Sequence, residues 1–303
     1  MGDTPRLTVS VAYIVISHRN PPQVLRLVRA LKEDSEAVVL VRHDQRASTL
    51  PDAEIEAAGG EAVSGEVEPG WGDWRHLRSI LHCLHEAATR HDPPWTLIVS
   101  GQDYPVRAPR EIASELRDAS EDARLGSIRE VEPGSAPDDE FHLRCLYRHY
   151  DRPRGMPGLP LVMRPLVYTR DLPSLVGFRR LRPWPLRPYV SADWLTLGRR
   201  ALGAVLDAAD DPRLMRHFRR VAVPSESFFA SVLLNRPDLV VDGDNRRFVR
   251  FARLGAAHPD TLTSVDLDRV LASGADFARK FDITVDAEVL DRLDEHRHAE
   301  IAR

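Results

Sequence analysis

The chain has 303 residues, of which 43% are hydrophobic and 29% charged, and its formal net charge is −4. That balance excludes wholesale disorder, a collagen or coiled-coil rod, and a globally basic nucleic-acid binder. The length suits one large α/β unit with a loop-rich region attached. Residues 9–17 (SVAYIVISH) are apolar and β-branched over a short span and read as a buried strand. Asn20-Pro21-Pro22 then opens a helix, with Asn20 at the N-cap and proline where a missing N–H costs nothing. Across 22–32, Val24, Leu27, Val28 and Leu31 share one face. A second strand at 37–42 ends in the polar turn His43-Asp44-Gln45. Strand–helix–strand is the unit of a parallel sheet.

The alternation continues. Gly70-Trp71-Gly72 precedes a helix at about 73–90, with Trp74, Leu77, Ile80, Leu81 and Leu84 on its apolar side. A strand at 95–99 ends in Ser100-Gly101-Gln102-Asp103-Tyr104-Pro105. Ligands of open α/β sheets bind beyond the carboxyl ends of the strands. His43-Asp44 and residues 100–105 therefore mark a site between them. Residues 132–139 are acidic, and 151–190 hold many of the 23 prolines, so the middle reads as loops that carry specificity. Helices resume at about 199–209, 212–220, 225–235, 264–272 and 286–297.

Two cysteines, Cys83 and Cys145, make no disulfide scaffold, and a reducing compartment is expected. The apolar run at 7–16 is too short to span a bilayer and lacks the flanks of a signal peptide, so a cytoplasmic location is expected. Of the 42 basic residues only Lys32 and Lys280 are lysines, an arginine bias that GC-rich bacterial genomes produce. His82 and His85 stand three apart, not in the His-Glu-x-x-His spacing of a zinc protease, and Asp242-Gly243-Asp244 reads as a polar turn. No Gly-x-Gly-x-x-Gly follows the first strand, and Walker and Gly-x-Ser-x-Gly loops are absent.

Six segments in order carry a resemblance: His18-Arg19-Asn20-Pro21, Val41-Arg42-His43-Asp44, Trp71-Gly72, Ser100–Pro105, Pro224-Ser225-Glu226-Ser227-Phe228-Phe229 and Phe277-Ala278-Arg279-Lys280-Phe281-Asp282. Together the sequence resembles the core-2/I-branching β-1,6-N-acetylglucosaminyltransferases, which include the peptide O-xylosyltransferases. The resemblance covers about residues 9–283 and is weakest across the proline-rich middle. It implies a GT-A-like α/β fold over 1–303, with a nucleotide-sugar-binding half at about 1–130 and an acceptor and catalytic half at about 131–303.

The implied activity is inverting transfer of a sugar, GlcNAc or xylose-like, from a UDP-sugar to a hydroxyl of a small-molecule or glycan acceptor. No metal and no cofactor is expected, because basic side chains neutralise the leaving diphosphate. The matches place Glu226 as general base and Lys280, with Arg279, at the diphosphate. Ser225 stands where the family has aspartate, and on the bland reading Ser225 caps a helix whose first turn holds Glu226. His18, Arg19, Asn20, His43, Asp44, Ser100, Gly101 and Asp103 are implied around the nucleotide, and Asp193, Trp194 and Trp71 around the acceptor. The family's second cation falls near His258, where Arg250 and Arg253 are the candidate substitutes. A catalytically silent sugar-nucleotide or glycan-binding module on the same fold, and a metal-dependent transferase using Asp103 or Asp244, are the alternatives.

Overall fold

The structure, a computed structural model, describes residues 9–65, 72, 74–131, 186–221, 223–253 and 258–301. Strand β1 (Ala12–Ser17) has all six side chains buried. A strand apolar on both faces belongs inside a sheet covered on both sides. It pairs in parallel with β2 (Val38–His43) and β4 (Trp95–Ser100). Beyond β2 lies β3 (Glu61–Ala62), and beyond β4 lie β9 (Thr196–Gly198), β6 (Ala123–Arg124) and β10 (Val241–Asp242). Among the described residues this sheet thus has seven strands, ordered β10-β6-β9-β4-β1-β2-β3, and only β9 runs against its neighbours. The expected mixed α/β fold with a mostly parallel central sheet is the fold observed.

Side-chain alternation along β1 divides the core. Tyr13 and Val15 join a cluster with helices α1 (Pro21–Leu31), α2 (Asp52–Ala57), α4 (Pro109–Arg117) and α9 (Glu288–Ile301). Ile14 and Ile16 join the opposite one, with α3 (Trp74–Arg90), α5 (Arg199–Asp210), α6 (Pro212–Phe218) and α7 (Pro224–Leu234). Each fully buried aliphatic side chain there contributes about 1.5–3 kcal/mol.

A smaller sheet builds the site. Strands β11 (Arg247–Val249), β12 (Phe277–Arg279) and β5 (Asp103–Pro105) lie in the order β11-β12-β5, and the antiparallel β12–β5 register sets Arg279 opposite Asp103. These three-residue strands carry no periodicity of their own; pairing across the chain makes them. The ribbon of β7 (Arg129–Glu130) and β8 (Tyr189–Val190) flanks α7.

Several boundaries differ from the sequence expectation for identifiable reasons. The first strand starts at Ala12, not at 9. The helix expected at 264–272 is a 3-10 turn, Ser264–Asp266, followed by α8 (Leu267–Ala272). The last helix begins at Glu288 because Asp286 lies outside it as a cap, accepting from Val289 N at 3.2 Å and from Ser264 N at 2.8 Å. No helix among the described residues is long and apolar enough to cross a membrane.

Candidate functional site

The carboxyl ends of β1, β2 and β4 open toward the β12–β5 edge. At β2, His43 is buried and both its ring nitrogens are engaged, Nδ1 with Ser17 Oγ at 2.8 Å and Nε2 with Ser48 O at 2.8 Å. Burial keeps its imidazole below the ordinary pKa. His43 therefore fastens the loop. Arg46 donates to both carboxylate oxygens of Asp44 at 2.8 Å, which holds Asp44 below the usual carboxylate range. A ribose hydroxyl on Asp44 would compete with that guanidinium. Beside them lies a cleft of about 190 Å³ lined in part by Arg42, His43, Gln45, Asp52, Ser64 and Gly65.

At β1, His18 reaches the surface, yet partial desolvation and the Arg19 charge lower its pKa. Asn20 does stand at the N-cap of α1, in the left-handed region at φ 50°, which asparagine tolerates. Its side chain caps nothing; Nδ2 donates instead to Asp282 Oδ1 at 2.9 Å. Arg19 Nη2 stands 4.0 Å from the other Asp282 oxygen. Burial works against ionising Asp282, but Thr284, Asn20 and Arg19 together hold its pKa low.

Gln23 sutures this region. Fully buried, it donates from Nε2 to Gly101 O at 3.0 Å and Phe281 O at 3.1 Å, and its Oε1 accepts from Ile283 N at 2.8 Å. Gly101 is required by space: a Cβ there would stand 2.8 Å from Ser17 Cβ and 2.9 Å from Val24 Cγ2. The Ser100 hydroxyl and backbone N–H donate to Asp103 at 2.8 and 2.9 Å. Asp103 is wholly buried, with Arg279 Nε 3.4 Å from its Oδ1.

Arg279 in turn lies over the Trp194 ring, 4.5 Å from the centroid. Lys280, the next residue, is half-buried and has no ion-pair partner among the described residues. Burial lowers its pKa, and the Arg19 and Arg279 charges lower it further. Arg250, a sequence candidate for a second cation, is committed instead to Asp266 and to Asp260 at 3.1 Å. Arg19 is the cation that comes close to Lys280.

Helix α7 carries Glu226. Val223 precedes it at φ 46°, a left-handed conformation costing a β-branched residue of the order of 1–2 kcal/mol. Proline then occupies N1, and Glu226 falls in the first turn, where the helix dipole favours its charge. Ser225 does not cap the helix, contrary to the bland sequence reading: Val223 holds that position, and Ser225 is buried with Oγ unpartnered among the described residues. Glu226 O accepts from Ser191 N at 2.8 Å, and Gly72 O accepts from Val223 N at 3.3 Å. Residues 191–195 thus join the carboxylate helix to the cation cluster, through Ser191 at one end and Trp194 at the other.

On the α3 side of the same segment, Asp193 Oδ2 faces His76 Nε2 at 3.6 Å. The sequence reading missed His76 and Gln23, because each is one of several polar positions on an amphipathic helix. Trp71 lies outside the described residues. No group of three or more metal-ligating side chains occurs among the described residues.

No protein-family model matches the chain, and no curated protein matches it. Among solved structures, the chain is similar to mouse xyloside xylosyltransferase 1 in its apo form, at 10% identity and a TM-score of 0.41 over 88% of this chain and 97% of that one. It is also similar to a proposed glucose-1-phosphate thymidylyltransferase from Bacillus anthracis in complex with a sucrose, at 10% identity and a TM-score of 0.35 over 86% and 94%.

Proposed function

We propose that the chain is a GT-A-type glycosyltransferase that moves a sugar, GlcNAc or xylose-like, from a UDP-sugar to a hydroxyl of a small-molecule or glycan acceptor, with inversion. The observation that carries this reading is the convergence of Arg19, Arg279 and Lys280 at the carboxyl ends of β1 and β4, with Lys280 lacking an ion-pair partner among the described residues. Asp103 and Asp282 stand beside Arg279 and Arg19, but no carboxylate among the described residues pairs with Lys280, and a cation left unpaired in a partly desolvated cleft is costly unless an anion completes it. A nucleoside diphosphate is such an anion.

Sugar transfer builds negative charge on the departing diphosphate while the sugar carbon becomes oxocarbenium-like. Fixed cations at the leaving group stabilise the transition state more than the ground state. Lys280 and Arg279 fill that role, with Arg19 closing the third side. Glu226 takes the proton of the attacking hydroxyl, and the attack proceeds from the face opposite the diphosphate. Asn20, Ser100 and Gly101 shape the floor on which the nucleotide lies. Asp103 is held by Ser100 and Arg279, so its work is to aim the guanidinium.

The cluster supplies the charge neutralisation that a divalent ion gives other transferases, which supports a metal-independent reaction. Asp242 and Asp244 lie at or beside the far edge strand, three strands from β4, and accept from backbone N–H groups of their own turn.

Calorimetric titration with UDP, dTDP and GDP in EDTA, followed by assays of UDP-sugar turnover, tests the reading. UDP should bind without metal, and Glu226→Gln should lower turnover at least about 100-fold while leaving UDP affinity in place. Near-normal turnover in that variant would refute the base assignment. Activity lost in EDTA and restored by Mn²⁺ would refute the metal-free mechanism.

A further inference from the structure

Over residues 212–223 the sequence reads PRLMRHFRRVAV, four arginines and no acid, in a chain whose net charge is −4. The segment forms α6 and the turn after it, and the helical path runs on past Phe218, with Arg219 N donating to Met215 O at 3.0 Å. Helical residues succeed one another by about 100°, so Arg213, Arg216 and Arg220 fall within about 60° and Arg219 borders them. All four are exposed. The opposite side faces inward: Phe218 and Val221 are buried, and Met215 packs against the core cluster of α3, α5 and α7.

Other surface arginines stand against carboxylates, Arg90 against Glu61 at 2.6 Å, Arg200 against Asp122 at 3.0 Å and Arg236 against Asp238 at 2.9 Å. Arg213, Arg216, Arg219 and Arg220 have no ion-pair partner among the described residues. Asp211, the acid next to the segment, spends its carboxylate on the helix cap, accepting from Arg213 N at 2.7 Å and Leu214 N at 3.4 Å. Burial, and then the Arg220 charge, hold the His217 imidazole down at about 4, so the ridge carries four charges and not five at neutral pH.

We propose that this arginine ridge docks the protein on an anionic lipid bilayer, peripherally and reversibly. Side chains on one face of an exposed helix splay apart, whereas a small anion is held by donors that converge in a hollow. Many phosphates spread over a surface suit the ridge, and a planar guanidinium meets each of them in a bidentate way. No aromatic ring is exposed within the segment to stack bases, since Phe218 is buried, which disfavours single-stranded nucleic acid. Its apolar residues are spent on the core, so attachment is electrostatic and salt-sensitive rather than by insertion. The acids elsewhere in the chain oppose docking weakly, because they act from beyond the Debye length of about 8 Å. Val221 follows the ridge directly, and α7 with Glu226 opens at Pro224.

Sedimentation of the full chain with lipid vesicles tests this. Wild type should bind vesicles of equal parts phosphatidylcholine and phosphatidylglycerol, ignore pure phosphatidylcholine, and be released as salt rises. Each basic side chain at such a surface is worth about fivefold, so the double variant Arg216→Gln/Arg219→Gln should bind roughly 30-fold more weakly. Arg269→Gln/Arg292→Gln removes the same charge from exposed positions on α8 and α9, and should bind within about twofold of wild type. Melting temperatures should match wild type in both, since all four positions are exposed. No binding to either vesicle, equal binding to both, or a ridge variant that binds like wild type overturns the proposal. A control pair that weakens binding as much as the ridge pair does so too, because net charge alone would then explain the attraction. Retention on immobilised double-stranded DNA, lost in the ridge variant and paired with indifference to vesicles, would give the ridge to nucleic acid and overturn the bilayer. UDP binding is read separately by calorimetry and should be the same in all three proteins, so the transferase reading stands or falls apart from the ridge.

Discussion

Two arginine-rich regions lie on opposite faces of β5, and they are balanced differently. On one face Tyr104 points into a clamp. Arg297, wholly buried, bonds Glu33 at 3.1 Å, Pro105 O at 2.9 Å and Asp294, and lies over the Tyr104 ring. Arg26 reaches the same Asp294, Asp291 at 2.7 Å and the Tyr104 hydroxyl at 3.1 Å. Every guanidinium there has its carboxylate, and the result fastens α9 to α1. On the other face Asp103 meets Arg279, and beyond it Lys280 and Arg19 gather with Asp282 as the nearest counter-charge to Arg19. Strand alternation puts residues 103 and 104 on these two sides. The first face is thus held by fully paired cations, whereas on the second Arg279 and Arg19 have Asp103 and Asp282 beside them and Lys280 has no ion-pair partner among the described residues.

The largest expected effect breaks the matched side. Arg297→Met leaves Glu33 and Asp294 without their buried cation, and removing one partner of a buried pair costs about 3–5 kcal/mol. Denaturant unfolding should show that loss, with UDP affinity within about twofold of wild type for whatever fraction is folded. A loss below about 1 kcal/mol would mean that apolar packing alone holds α9.

On the unmatched side, Lys280→Met should weaken UDP binding at least about tenfold, since a hydrogen bond to a charged group is worth about 1.5–3 kcal/mol. Raising the salt concentration should weaken wild-type binding in the same direction. Unchanged affinity in calorimetry would remove Lys280 from the diphosphate site.

The two sides were not equally legible in the sequence. β1, α1, β2, α3 and β4 are long enough for period and caps to show them. The nine-residue α4 buries only four positions, and β5, β11 and β12 are three residues each, created by pairing that no local pattern announces. Lys280 and Glu226 stood out through motif order, and Lys280 also through the scarcity of lysine. His43 and Asp44 stood out through strand-end polarity, which marks a fastened loop as readily as a ligand contact. Gln23 and His76 gave no signal, because their importance lies in partners distant in sequence.

A smaller effect distinguishes the clamp by pH. Burial of Asp294 opposes its ionisation, but Tyr104, Arg26 and Arg297 hold its folded-state pKa below the ordinary carboxylate range. A depressed carboxylate contributes stability that is complete above its unfolded value of about 3.9 and is lost as pH falls through the folded value. Asp294→Asn should therefore lower stability at neutral pH and flatten the acid limb of the pH–stability curve. An acid limb as steep as wild type's would place the titrating group elsewhere.

The smallest effect has the opposite sign and is the sharpest test of the comparison. Burial, Arg19 and Arg279 depress the folded-state pKa of Lys280 below its unfolded value, near 10.4. For a base this means that the folded protein binds its proton less tightly than the unfolded chain does. Stability then rises as pH climbs through the folded value and levels off above the unfolded one, and at neutral pH the charged ammonium works against folding. Lys280→Met should raise the melting temperature of the ligand-free protein by about 1–2 °C while shrinking the further rise that UDP produces. The same substitution made at a matched cation, as in Arg297→Met, lowers the melting temperature. If Lys280→Met also lowered it, Lys280 would belong with the clamp as a structural cation, and the site would hold no unmatched charge for a diphosphate to complete.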